Sequence, residues 1–199
     1  VFTFPVKVLT DDLVATQKPE PETEVDWVRR CQKGDRSCFR KLYQHYSPRV
    51  RSTLYQLCGS EALDDLVQEV FLRTWKGLPK LRQATQFSTW LYRISWNVAT
   101  DRRRQFAQEY SQRERLTQAL PVRPNAPDLM HLHYQEVVQQ GLQQLSFEHR
   151  VVLVLHDLED IPQKEIAQIL SIPLGTVKSR LFHGRASLRQ FLEQQGELL

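Results

Sequence analysis

The chain has 199 residues, with 27 Lys and Arg against 23 Asp and Glu and a formal net charge of +4. That length carries one large domain or two small ones, and no apolar run approaches the ~18–20 residues that a membrane helix needs, so membrane insertion is not expected. Cys31, Cys38 and Cys58 form no C-x-x-C pair, and no His cluster lies at zinc-finger spacing; this argues against a metal site and for reduced thiols in a cytoplasm.

The charge is unevenly placed. Residues 1–26 hold Lys7 and Lys18 against Asp11, Asp12, Glu20, Glu22, Glu24 and Asp26, a net of −4, so the remainder carries about +8, which suits a polyanionic partner. The opening stretch VFTFPVKVLTDDLV has no basic region followed by a long apolar run and is a poor signal peptide. Gly is scarce and strand-like alternation is nearly confined to residues 1–9, so the fold class expected is all-α.

Residues 1–23, with Pro5, Pro19, Pro21 and little to bury, read as a flexible acidic arm. A helix is expected from about Glu24 to Gly34. Asp35 can cap the next one, which aligns Phe39, Leu42, Tyr43, Tyr46, Val50, Leu54 and Leu57 on one stripe, is bent at Pro48 and ends at Cys58-Gly59-Ser60. The segment 61–77 has an apolar face of Leu63, Leu66, Val67, Val70, Phe71 and Thr74. Its other face is Asp64, Asp65, Gln68, Glu69 and Arg73. Asp64, Asp65 and Glu69 at helical spacing could hold Mg²⁺, dock a basic partner, or be a solvated face. No second acidic cluster, Gly-rich phosphate loop or nucleophile–base pair completes a catalytic site, and no cofactor is expected.

Residues 78–87 read as a loop carrying Lys80 and Arg82, and Ser88 or Thr89 is expected to cap the helix TWLYRISWNVATDRRRQF. Its aromatic residues (Trp90, Tyr92, Trp96, Phe106) lie among Arg93, Arg102, Arg103 and Arg104. Unpaired bases need flat faces to stack on and cations for their phosphates. Trp90, Leu91, Ile94 and Val98 are read as core; Arg93, Asn97, Asp101 and the arginine run are harder to explain as packing. Pro121, Pro124 and Pro127 mark residues 111–130 as an inter-domain linker. A second helical unit, 131–199, carries Leu132, Val137, Val138, Leu142 and Leu145, then a helix capped by Ser146 and apolar nearly all round.

The stretch PQKEIAQILSIPLGTVKSRLFHGRASLRQF, 162–191, reads as a helix-turn-helix. Ala167 is small at the crossing, Ser171 sits at the turn, and Val177 plugs the space between the helices. Many such motifs have Gly at the turn, so Ser171 predicts a less tight one. Val177, Leu181, Leu188 and Phe191 form the apolar back of the second helix. Thr176, Ser179, Arg180 and His183 form its front, and Lys178, Arg185 and Arg189 a basic flank. Such a helix can enter a major groove with its front on base edges and its flank on phosphates.

Four motifs in this order resemble the extracytoplasmic-function class of the sigma-70 family of bacterial RNA polymerase sigma factors. They are Gly34-Asp35 with Phe39, DDLVQEVFLRTW at 64–75, FSTWLYRISWNVATDRRR at 87–104, and EIAQILSIPLGTVKSRL at 165–181. The resemblance covers about residues 24–193. It implies two small helical domains joined by a flexible linker: a region 2-like domain at 24–110 and a region 4-like helix-turn-helix domain at 131–199. It implies that Asp64, Asp65, Gln68, Glu69 and Arg73 dock on the clamp helices of the largest subunit of core RNA polymerase. Lys80, Arg82, Gln83, Asn97, Asp101 and Arg103 would read the −10 element of promoter DNA, and Thr176, Lys178, Ser179, Arg180, His183 and Arg185 the −35 element. It further implies a non-enzymatic, cytoplasmic initiation subunit, monomeric when free and held by an anti-sigma factor. Pro173 stands where the family usually has an acceptor cap. Two other readings are a stand-alone helix-turn-helix regulator, which would dimerise on a palindromic site, and a Mg²⁺-dependent enzyme.

Overall fold

A computed structural model describes residues 22–113 and 131–196; most of the arm (1–21) and of the linker (114–130) lies outside the described residues. Helices α1 (Glu24–Gln32), α2 (Arg36–Cys58), α3 (Leu63–Gly77) and α4 (Phe87–Arg113) form a first bundle. Helices α5 (His131–Gln144), α6 (Phe147–Leu153), α7 (Gln163–Leu170) and α8 (Leu174–Gln194) form a second. Short 3-10 turns at Leu78–Lys80 and Ala84–Gln86 join α3 to α4, and a π turn at Val154–Leu158 continues α6. The described residues contain no strand.

Local chemistry sets the ends of the first bundle's helices. Thr23 and Asp26 form a reciprocal capping box at α1, with the Asp26 N–H donating to Thr23 Oγ1 at 3.3 Å and the Thr23 N–H to Asp26 Oδ2 at 3.1 Å. The end of the arm is therefore built into α1, and Glu22 also pairs with Lys41 at 2.5 Å. Gly34, at φ +90°, turns the chain into α2. Asp35 caps α2 by accepting from the N–H groups of Ser37 (2.8 Å) and Cys38 (3.3 Å) and from Arg30 (2.7 Å). Pro48 lies inside α2 without ending it. Val28, Leu42, Val50, Leu54, Val70, Phe87 and Leu91 are all but fully buried between the four helices. That enclosure, rather than helix propensity, keeps the bundle together.

Three expectations need correction. Helix α3 starts at Leu63, not Glu61, because Ala62 adopts a left-handed φ of 56°. Helix α4 starts at Phe87, directly from a 3-10 turn, so Ser88 and Thr89 lie inside its first turn; the Thr89 hydroxyl donates to Glu165 at 3.3 Å instead of capping. Tyr43, placed on the buried stripe of α2, is 42 % exposed.

In the second bundle, Val151–Leu155 are buried on every side, and Ile166, Ile169, Val177 and Leu181 lock α7 to α8. Ser171 takes the left-handed position that Gly usually fills (φ 54°). The Ile172 N–H closes back on the Ala167 carbonyl at 3.1 Å, so the turn is tight after all. Pro173 begins α8 without a side-chain cap. The two bundles meet where α4 lies against α7.

Candidate nucleic-acid interface

The back of α8 is anchored by Val177 and Leu181, 0 % and 2 % exposed. This anchoring fixes what faces outward. Lys178, Ser179, His183, Arg185 and Arg189 are exposed, and Thr176 and Arg180 half-buried. No carboxylate occurs on α8 before Glu193, so the surface is cationic along nearly its whole length. Gly184 lets α8 approach α6: a Cβ there would lie 2.9 Å from Leu153 Cδ1. Arg185 is steered by Asp157, whose carboxylate accepts from its Nε at 2.9 Å and from its Nη2; this pairing holds the Asp157 carboxyl below its usual range. Phe182 is 71 % exposed between Lys178 and Arg185, an apolar element of this face that the stripe analysis passed over.

On the first bundle, Lys80, Arg82 and Gln83 project from the connection between α3 and α4. Gln32 pins that connection by donating to the carbonyls of Leu81 (2.7 Å) and Leu78 (3.3 Å), a role no sequence signal announced. Asn97 and Arg103 are exposed on α4, whereas Asp101 is half-buried and accepts from Arg73 Nη1 at 2.8 Å. Arg73 Nε donates in turn to Glu69 at 2.7 Å. Residues assigned from sequence to two separate surfaces are thus one Glu69–Arg73–Asp101 chain that ties α3 to α4.

Asp64, Asp65 and Gln68 are exposed along α3. Asp64 pairs with Arg51 and Glu69 with Arg73, so these acids face arginines rather than one another. Among the described residues no group of three or more His, Cys, Asp or Glu is placed so that it could hold a metal ion. Beside them runs a groove of about 670 Å³ walled by Phe39, Tyr43, Val67, Phe71, Leu72 and Trp75. Leu72, 45 % exposed, extends its apolar wall to the surface.

Several α4 side chains read from sequence as nucleic-acid contacts are engaged by the second bundle. Arg93 donates to the carbonyls of Gln168 and Ile169 (3.3 Å to the latter) at the end of α7. Trp96 stacks on Phe147, with centroids 5.0 Å apart and planes inclined by 20°. The Arg103 guanidinium lies 4.7 Å over the same Phe147 ring and 3.8 Å from Glu148.

Residues 42–108 match the family described as Sigma-70 region 2, and residues 135–188 that described as Sigma-70, region 4. The chain is 30% identical over 176 residues to the ECF RNA polymerase sigma factor SigW of Bacillus subtilis, an alignment covering 83% of this chain and 94% of the relative. It is 31% identical over 179 residues to the ECF RNA polymerase sigma-E factor of Escherichia coli K12, covering 85% and 94%. Two solved structures share the fold. CnrH in complex with the cytosolic domain of CnrY has a TM-score of 0.66 at 21% identity, covering 87% of this chain and 99% of that one. The sigma factor RpoE in complex with the anti-sigma factor NepR from Bartonella quintana has a TM-score of 0.65 at 20% identity, covering 78% and 96%.

Proposed function

The chain belongs to the extracytoplasmic-function class of sigma-70 family RNA polymerase sigma factors, and on that premise we propose how its surfaces divide the work. It is an alternative sigma factor that binds core RNA polymerase, directs it to −35/−10 promoters and assists their opening. Core polymerase and promoter DNA are its partners.

In our reading, Asp64, Asp65, Gln68, Glu69 and Arg73 dock on the clamp helices of the polymerase. Long-range attraction to a basic partner steers the encounter there. Lys80, Arg82, Gln83, Asn97, Asp101 and Arg103 read the −10 strand once it is unpaired. Extracting a base from the stack costs only a few kcal/mol, within reach of a stacking platform flanked by cations. Thr176, Lys178, Ser179, Arg180, His183 and Arg185 read the −35 duplex, the front on base edges and the flank on phosphates. The domain limits proposed are 24–110 and 131–199, with 111–130 as the linker. The chain performs no chemistry of its own, works in the cytoplasm where the polymerase is, and is held in reserve by an anti-sigma partner, as the neighbour RpoE is paired with the anti-sigma factor NepR.

The observation that carries this division is the opposed charge of the two exposed helix faces, acidic at Asp64 and Asp65 in the first turn of α3 and cationic along α8. Pull-down of core polymerase followed by run-off transcription on genomic fragments tests it. Core binding with new start sites is the expected result. Dimeric binding to duplex DNA without core binding would move the assignment to a stand-alone regulator.

A further inference from the structure

Asp101 is the one carboxylate between Arg93 and Arg104 of α4. Asn97, Asp101 and Arg104 are four and three residues apart, so they share one side of the helix. Asn97 and Arg104 are exposed there and Asp101 is half-buried. Arg103 points another way, to the seam with the second bundle, where it lies over Phe147. A strand that brings its phosphates to Arg104 also meets the Asp101 carboxylate, and like charges repel. An acid on such a face is favourable only where the ligand itself offers it a donor.

The carboxylate is held at one oxygen. Arg73, reaching across from α3, donates through Nη1 to Asp101 Oδ2 at 2.8 Å. Its Nε donates to Glu69 Oε1 at 2.7 Å, so the guanidinium is fixed from both sides. Asp101, and after it Glu69, raises the Arg73 pKa above its ordinary range, so this donor is present at every working pH. Among the described residues Asp101 Oδ1 accepts from no other group. The side chain is 44 % exposed, so a ligand can reach it.

The exocyclic groups of the bases fall into two classes. Cytosine N4 and adenine N6 are donors, whereas thymine O4 and guanine O6 are acceptors. An anchored carboxylate oxygen accepts from the first class and repels the second. Resting on the sigma-factor reading above, we propose that Asp101 selects an amino-bearing base, cytosine or adenine, at one position of the unpaired −10 strand, and that Arg73 is the residue that positions it. Arg73 thereby serves the −10 face as well as the docking face on which its motif placed it.

Asp101→Asn tests this with almost no change of shape. The Arg73 N–H still needs an acceptor, so the amide turns its oxygen to Arg73 and its NH2 to where Oδ1 stood. The group offered to the base changes from acceptor to donor. The assay is run-off transcription by holoenzyme reconstituted from the full chain and core polymerase, on a promoter located by its start site. Each −10 position carries each of the four bases in turn, with the region held open by mismatches so that base-pair strength does not enter. The wild type should favour cytosine or adenine over thymine and guanine by about tenfold or more at one position. Asp101→Asn should reverse this, to thymine or guanine, at the same position and leave the others as they were. With Arg73→Met added, the amide is free to turn either way, and the two classes should come within about threefold of each other. These are ratios between templates within one holoenzyme, so a weaker hold on core polymerase or a smaller folded fraction cancels.

An Asp101→Asn factor with the wild-type base preference, or one weakened equally at every position, would overturn the proposal: Asp101 would then only tie α4 to Arg73. A double variant that keeps the reversed preference would refute the positioning by Arg73. A wild type that initiates but nowhere separates the two classes of base would overturn the proposal and leave the sigma-factor reading standing. A wild-type chain that gives no promoter-directed initiation with core polymerase refutes the sigma-factor reading itself.

Discussion

Val177 and Arg180 are three residues apart on α8, and the reasoning above assigns them opposite tasks. Val177 is 0 % exposed, wedged between α7 and α8. Val177→Ala removes two buried methyl groups, about 0.8 kcal/mol each, and leaves a cavity, for a loss of about 2–3 kcal/mol. In a small unit each kcal/mol moves the melting temperature by about 4–8 °C, so melting of the second bundle should fall by roughly 8–24 °C. At a stability of at least about 5 kcal/mol the bundle stays mostly folded near 20 °C, and the base preference of the polymerase complex at −35 should be unchanged. Arg180→Ala, on the half-buried front, should leave melting within about 3 °C. It should cost about 1–3 kcal/mol of discrimination, or about 5- to 150-fold, at the base pair it reads. Thermal circular dichroism and binding of the polymerase complex to −35 variants separate the two. If Arg180→Ala lowers the melting temperature as much as Val177→Ala and leaves base preference intact, the front and back of α8 have been assigned the wrong way round.

Gln68→Lys places a cation on the exposed acidic face of α3; competition with wild type for core polymerase should show at least about tenfold weaker binding, with melting and −35 preference unchanged. Gly141→Ala should destabilise the second bundle by about 1 kcal/mol in denaturant titration, because about 1 kcal/mol of helix propensity gained is outweighed by overpacking. The new Cβ would sit 2.6 Å from Leu188 Cδ1 and 2.8 Å from the Phe191 ring. Gly184→Ala, whose Cβ would come under 3 Å to the buried Leu153 Cδ1 methyl alone, should destabilise the bundle less than Gly141→Ala does. Asp35 is held well below the usual carboxylate range by Ser37, Arg30 and the Cys38 N–H. A lowered folded value means that its contribution is complete above about pH 5 and lost progressively as the pH falls further, so Asp35→Asn should flatten the acid limb of the stability profile in that window.

The helices were legible because their signals are local. The Asp35 and Ser146 caps, Gly59 after α2 and the apolar stripes of α2, α3 and α8 each act within a few residues. The failures were equally local in cause. Ala62 and Ser171 take left-handed backbone positions that their side chains do not advertise, and the 3-10 turn before Phe87 removes the need for a cap on α4. The exposure of Asp64, Gln68, Lys178 and His183 was legible from helix periodicity, but the partners of neighbouring side chains were not. That Arg73 would bridge Glu69 and Asp101, or that Asp157 would hold Arg185, depends on how helices far apart in sequence cross.

The α4 helix shows why such pairings escape a sequence reading. Aromatic residues among arginines suit a platform for unpaired bases. The seam, however, uses the same chemistry. Trp96 lies nearly parallel to Phe147, as it would to a base, and Arg103 sits above that ring beside a carboxylate, as it would beside a phosphate. Flat faces and guanidinium forks satisfy a protein ring and carboxylate as readily as a nucleotide. Composition therefore identifies a surface able to bind either, and only the packing reveals that the second bundle occupies it. The same overlap makes the two occupants exclusive: every contact that Arg103 makes with Glu148 must be given up before it meets DNA. Packing between the bundles and the proposed reading of the −10 strand thus draw on the same side chain, Arg103.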